Sequence, residues 1–188
     1  MKTKLGRRNA LYPMPTVLVG MLVDGRPNFI TVAHVGIMDL TTISISVKRE
    51  HYSDKGIKKT KEFSINIPSA RLVKEVDFCG MFSGERADKS DLFHVFAGKA
   101  TDAPMIDECP LNMECRVVKT LDYSGHDVFI AEIVETHCDD DVLVDGKVDP
   151  GKLDPILFFM ENRGYHSLGG KIAAAWSAGE ELLDRNGR

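Results

Sequence analysis

Apolar and polar positions alternate through much of the chain. Pro15 to Asp24 reads P-T-V-L-V-G-M-L-V-D, and a second apolar run spans Asn28 to Ile37. The pair predicts two strands joined at Asp24-Gly25, where glycine tolerates the positive φ of a tight hairpin turn. Thr41 to Val47 (T-T-I-S-I-S-V) alternates with period 2, as in a half-buried strand. Ser53 to Lys61 is polar and predicts a short helix with Ser53 as its N-cap, although Gly56 weakens it. Glu62 to Ile67 predicts another strand, ended by Pro68. Ser69 to Cys79 places Leu72, Val73 and Val76 at helical spacing behind Ser69 as cap. Gly80 to Asp91 reads as a polar loop. Met113 to Leu121 and Val128 to His137 predict two later strands with a turn at Asp122 to Asp127. Pro155 to Met160 is the last apolar piece, and the Gly- and Ala-rich tail after Tyr165 predicts a mobile end.

Strands, two short helical connections and more strands follow one another without βαβ alternation. That order opposes a doubly wound parallel sheet and favours an antiparallel barrel or sandwich. The 188 residues match a single domain, expected to span 1–188. A net charge of -4 gives no reason to expect nucleic acid or an anionic membrane as partner. No segment is long and apolar enough to cross a bilayer, and no secretory pattern follows the basic start, so a cytoplasmic location is expected. Cys79, Cys109, Cys115 and Cys138 form no C-x-x-C pair, so free thiols, several of them buried, are expected rather than a metal site. Asp139 to Asp141 reads as a solvated turn. A Rossmann fingerprint, a Walker loop, a nucleophile elbow and an H-E-x-x-H pair are all missing from the sequence.

Three segments carry unusual chemistry for their predicted elements. Asn28 to Val35 (N-F-I-T-V-A-H-V) is a strand bearing Asn28, Thr31 and His34. Ser46 to Ser53 (S-V-K-R-E-H-Y-S) sets Lys48, Arg49, His51 and Tyr52 before a helix start. Cys79 to Lys89 offers Ser83, Arg86 and Lys89 around glycines. Cationic groups, hydroxyls and a helix start suit a phosphate, while strand backbone and apolar side chains suit a flat ring. Each piece also has a plain structural reading, such as a solvated strand end or a hydrogen-bonded histidine.

In order and spacing these motifs resemble the flavin reductase-like, FMN-binding split-barrel family, in its flavoredoxin-like branch. The matching pieces are P-x-P-T-V-L-V at Pro13 to Val19, N-F-I-T-V-A-H at Asn28 to His34, and I-S-V-K-R-E-H-Y-S at Ile45 to Ser53. K-E-F-S-I-N-I-P at Lys61 to Pro68, F-C-G at Phe78 to Gly80 and S-G-x-x-x-D-K at Ser83 to Lys89 follow. The resemblance implies a mainly β fold with short helices, a six-stranded antiparallel Greek-key split β-barrel that homodimerises with FMN near the interface. It implies Asn28, Thr31, Val32 and Ala33 at the isoalloxazine edge. Ser46, Val47, Lys48, Arg49, His51, Tyr52 and Ser53 would lie by the ribityl phosphate, and Cys79, Gly80, Ser83 and Lys89 would complete the pocket. His34 stands where relatives often carry Trp, and is the candidate for proton handling or substrate contact. Lys48-Arg49-Glu50 replaces a Pro-containing stretch. The implied activity is FMN-dependent oxidoreduction, with electrons from NAD(P)H or from an iron–sulfur protein. A non-enzymatic FMN electron carrier and a cofactor-free interaction barrel are the alternatives.

Overall fold

The computed structural model describes residues 1–180 and 182. Seven strands make the main sheet: β1 (Val17–Val23), β2 (Arg26–Val32), β3 (Val35–Ile37), β4 (Thr42–Lys48), β5 (Glu62–Ile67), β6 (Leu111–Tyr123) and β7 (His126–Cys138). Their spatial order is β2-β1-β5-β6-β7-β4-β3, with every pairing antiparallel. The two edges of this sheet, β2 and β3, are consecutive in the chain and separated by Ala33 and His34 alone. One bent strand therefore borders both edges, and the sheet wraps into a split barrel of six strands when β2 and β3 count as one. The His34 carbonyl accepts from the Ser46 N–H at 2.9 Å across the corner. Strand β5 returns beside β1, outside the β1-β2/β3-β4 meander, which is the 4-1-2-3 order of a Greek key. The expected uninterrupted strand from Asn28 to Ile37 is thus corrected: it breaks at Ala33-His34 so that its second half pairs with β4. Register shifts at Ile130/Ala131 and Ile133/Glu135 between β6 and β7 add the local twist that curvature needs.

Alternation decides which side chains fill the barrel. Val17, Val19, Met21 and Val23 of β1 point inward, with Ile30 and Val32 of β2 and Ile43, Ile45 and Val47 of β4. Phe63, Ile65, Cys115 and Phe129 complete that core. Leu18 and Phe29 face the other way and are covered by a second apolar cluster with Leu72, Val76 and Cys79. That double covering explains why β1 reads as nearly continuous apolar sequence. The same alternation sends Thr31, Ser44, Ser46 and Lys48 to the outer surface.

Helix α1 (Tyr52–Thr60) follows β4, and its Ile57 joins the barrel core. A Cβ on Gly56 would lie 2.6 Å from the Leu22 carbonyl oxygen, so glycine here permits close helix–strand packing. The cap position is His51, not Ser53 as expected; Ser53 lies buried in the first turn and accepts from Asn28 Nδ2 at 2.9 Å. A short 3-10 turn over Ala70–Leu72 leads into α2 (Val73–Met81), with Ser69 at the cap position of that turn as expected. Both expected hairpins turn through positive-φ pairs, Asp24-Gly25 and Ser124-Gly125. Three small features escape the sequence pattern. These are the hairpin Val95–Ala97 with Pro104–Ile106, the pairing of Leu143–Val144 with Lys147–Val148, and α3 (Pro150–Leu153), capped by Asp149. Met14–Pro15, Leu157–Phe159 and Gly164–His166 form a small sheet beside the corner. Cys79, Cys109 and Cys115 are buried free thiols. Positions 181 and 183–188, where a mobile tail end is expected, lie outside the described residues.

Candidate functional site

The bend at Ala33-His34, the outer face of β4 and the end of α2 enclose a pocket of about 250 Å³. Thr31, Val32, Ala33 and His34 form one wall, Ser46, Val47, Lys48 and His51 the second, and Gly80 the third. Nine of the residues singled out in the sequence therefore meet at one place. A recess of about 480 Å³ continues from this pocket past Thr31, Ala33, Gly80, Phe158 and Met160 to Thr16, Asp77, Arg163 and Tyr165. The two form one groove with a polar end at His51 and the cationic Lys48.

The wall at β2 is set by strand geometry. Because β2 borders the sheet, alternate backbone groups point away from β1. The Phe29 carbonyl points that way, to Lys89 Nζ at 2.9 Å. Two residues on, Thr31 presents its N–H and C=O in the same direction. The Thr31 hydroxyl donates to the Val76 carbonyl at 2.5 Å, which ties this wall to α2. Gly80 leaves the helix side bare; even an added Cβ would meet nothing nearer than Thr31 Cβ at 3.4 Å. His51 has its imidazole pKa held below the ordinary value, first by desolvation at the wall and then by the Lys48 ammonium. Lys48 has a loose surface partner, Glu50, at 3.5 Å. His34 is exposed on the rim, its ring 6.4 Å from that of His126.

Other expected site residues stand apart from this pocket. Arg49 turns to the opposite side of β4, where its guanidinium pairs with Asp122 and, at 3.2 Å, with Asp127. Asp127 also pairs with Lys58, which bonds Asp54 at 2.8 Å. Lys89 is buried, and its ammonium donates to the carbonyls of Phe29 and Cys79, both at 2.9 Å. Its charge closes the C-terminal end of α2 onto β2, and burial lowers its pKa. Cys79 is buried and its thiol is pushed up to about 11, chiefly by desolvation, which makes it a poor nucleophile. Asn28, Tyr52 and Lys89 border a separate polar cleft with Arg26 and Arg86. Ser83 accepts from the Glu85 N–H at 3.3 Å in an exposed turn.

Beyond Ile30, which lies within the Asn28 to Val35 segment, three pocket residues come from outside the segments singled out in the sequence. His126 opens β7 directly opposite Lys48, and Phe158 and Met160 arrive from the small sheet. His126 lies in a segment that reads as a turn, while the other two read as ordinary apolar residues. Their proximity depends on pairings across more than 70 positions, which no local pattern announces.

Comparison with known proteins agrees with this architecture. Residues 7–169 match the family model described as a flavin reductase like domain. The flavoredoxin structure from Methanosarcina acetivorans is 38% identical and superposes with a TM-score of 0.94 over 97% of this chain and 99% of that one. The flavoredoxin of Desulfovibrio vulgaris (Miyazaki F) is 34% identical, with a TM-score of 0.90 over 96% of this chain and 100% of that one. An uncharacterized protein of Archaeoglobus fulgidus is 32% identical over 144 residues, or 74% of this chain and 80% of that protein. No helix among the described residues is long and apolar enough to cross a membrane. By its sequence over 7–169 and by its split barrel, the chain belongs to the flavin reductase-like family, in its flavoredoxin-like branch.

Proposed function

We propose that this chain binds FMN in the groove along β2, β4 and α2 and serves as a flavin-dependent redox protein of the cytoplasm. The carrying observation is the groove itself: an edge-strand backbone and an apolar stretch run into a cationic end. The residues suit the cofactor. Thr31 and Ala33 offer backbone donors and acceptors to the polar edge of a ring, and Gly80 leaves room beside it. The Thr16 hydroxyl, buried in the adjoining recess, has no hydrogen-bond partner among the described residues and could serve one. Lys48 and His51 would hold the phosphate, with the hydroxyl of Ser46 nearby. Arg49, already paired with two carboxylates, is not needed for that role.

When bound, FMN supplies the electron chemistry. The protein's own part is to orient the ring and to neutralise charge. His34 and His126 stand on the rim, where either can exchange a proton with a group entering the groove. Electrons would come from NAD(P)H or from a small iron–sulfur protein at this open side. The chain would act as a homodimer. In support, the barrel mouth holds an apolar recess of about 480 Å³ bordered by Val35, Ile37, Leu40, Met113 and Ile133, and Ile37 and Leu40 are largely exposed.

The protein purified without added flavin should be yellow, or should bind added FMN. Anaerobic addition of NADH or NADPH should bleach it; bleaching by reduced ferredoxin alone would assign it to electron carriage. A colourless protein that ignores FMN would overturn the reading. Lys48→Ala should weaken FMN by about 1.5–3 kcal/mol, as for a lost charged hydrogen bond, and leave riboflavin nearly unchanged. Equal losses for both flavins would move the phosphate away from Lys48.

A further inference from the structure

Past the last small strand, Gly164–His166, the chain leaves its own body. Every residue from 167 to 180 is exposed, yet the segment carries Leu168, Ile172 and Trp176, spaced by four. Ile172 and Trp176 are 101% and 100% exposed, although tryptophan is among the most costly side chains to leave in water. Among the described residues, no hydrogen bond, ion pair or ring contact ties 167–180 to the barrel; its backbone bonds, such as Ala178 N–H to the Ala174 carbonyl, are internal. A free arm of this kind should take a different path in each relative. The Methanosarcina acetivorans flavoredoxin nevertheless superposes so fully that the residues before the arm cannot supply the score alone. The arm of this chain, which its own body does not support, is thus matched in place by a chain 38% identical.

We propose that this C-terminal arm seats Ile172 and Trp176 on a second copy of the chain, in the apolar recess at the barrel mouth. The inference rests on the homodimer reading above and names the contact that builds the dimer. A second copy is the fitting occupant because each chain carries both parts. One two-fold pairing then covers two arms and two recesses at once. The recess is lined by aliphatic side chains including Ile37, Ile65, Met113 and Ile133, a surface suited to an indole and an isoleucine. It is also continuous with exposed Ile37 and Leu40, so the arm would extend a contact those residues begin.

Trp176 is the sole tryptophan, so its emission reports the arm directly. The full chain should be a dimer by light scattering, with blue-shifted emission that acrylamide quenches poorly. Dilution should expose the indole at the concentration where the mass halves. I172S/W176S should fold with an unchanged circular dichroism spectrum but raise the dimer dissociation constant on the order of tenfold or more. Leu40→Glu, on the receiving side, should do the same and leave Trp176 exposed. A dimer with freely quenched Trp176 would overturn the arm contact while leaving the homodimer intact. A monomer with protected Trp176 would overturn it too, by showing the arm folded onto its own body. A monomer at every concentration with exposed Trp176 would remove both readings.

Discussion

Replacing Glu114 with alanine should destabilise the protein by about 3–5 kcal/mol, as expected when one member of a buried charged network is removed. Glu114 is wholly buried on β6, a position where a charge survives only with full satisfaction. Its carboxylate accepts from Thr101 N–H at 2.6 Å, the Thr101 hydroxyl at 3.0 Å and Ala100 N–H at 3.1 Å. His137 Nε2 lies 2.9 Å from the other oxygen; a carboxylate only accepts, so Nε2 carries the proton. The carboxylate thereby fastens the loop between Val95–Ala97 and Pro104–Ile106 to the barrel wall. Gly98 is part of the fit, since a Cβ there would lie 1.9 Å from a Glu114 oxygen. Burial alone would raise the Glu114 pKa, but the bonds from His137, Thr101 and Ala100 outweigh it and hold it below the ordinary value. A lowered folded-state pKa gives stability that is present above the unfolded value, about 4.3, and is lost as the pH falls through the folded one. Resistance of the wild type to urea should therefore fall with acidification below about pH 4. Glu114→Gln should show a flatter profile there. A loss under about 1 kcal/mol for Glu114→Ala would show that the network is not a structural clamp.

The second large effect separates two lysines that look alike in the sequence. Lys89→Met keeps the aliphatic stem but leaves the carbonyls of Phe29 and Cys79 without their donor. At about 1–3 kcal/mol for each of the two orphaned buried groups, the expected cost is about 2–6 kcal/mol in denaturant unfolding. Flavin affinity should fall by the same factor for FMN and riboflavin, because the variant loosens the β2–α2 wall without removing a phosphate ligand. Lys48→Ala should show the opposite pattern, with a loss selective for FMN over riboflavin and nearly unchanged stability. A loss specific to FMN in Lys89→Met would place the phosphate at Lys89.

Much of the barrel is legible in the sequence because its strands are half-buried and alternate cleanly. The period-2 pattern T-I-S-I-S-V-K of β4 is enough to sort Ile43, Ile45 and Val47 inward and Ser44, Ser46 and Lys48 outward. The break at Ala33-His34 is not legible, since apolar residues continue through it and the reason for it is pairing with two distant strands. The site is legible by halves. Thr31 to His34 and Ser46 to Lys48 line one pocket, because each is a local segment at a strand with outward polar positions. The roles of Arg49 and Lys89 are not, because a cation's task depends on which acceptors the fold brings to it. Asp122 and Asp127 claim the first, and two carbonyls claim the second. The short strands of the Val95–Ala97 hairpin, at three residues each, are too brief for any period to emerge.

The central claim is that FMN lies on the outer face of the barrel against β4. Ser46 points into that pocket from a half-buried surface position, so a larger side chain there fills the groove without entering the core. Flavin-stripped wild type and Ser46→Trp should be titrated with FMN under identical conditions. The wild type should bind one FMN per chain saturably, and Ser46→Trp should bind none at an unchanged melting temperature. Wild-type affinity in Ser46→Trp, or a wild type that binds no FMN, would contradict it.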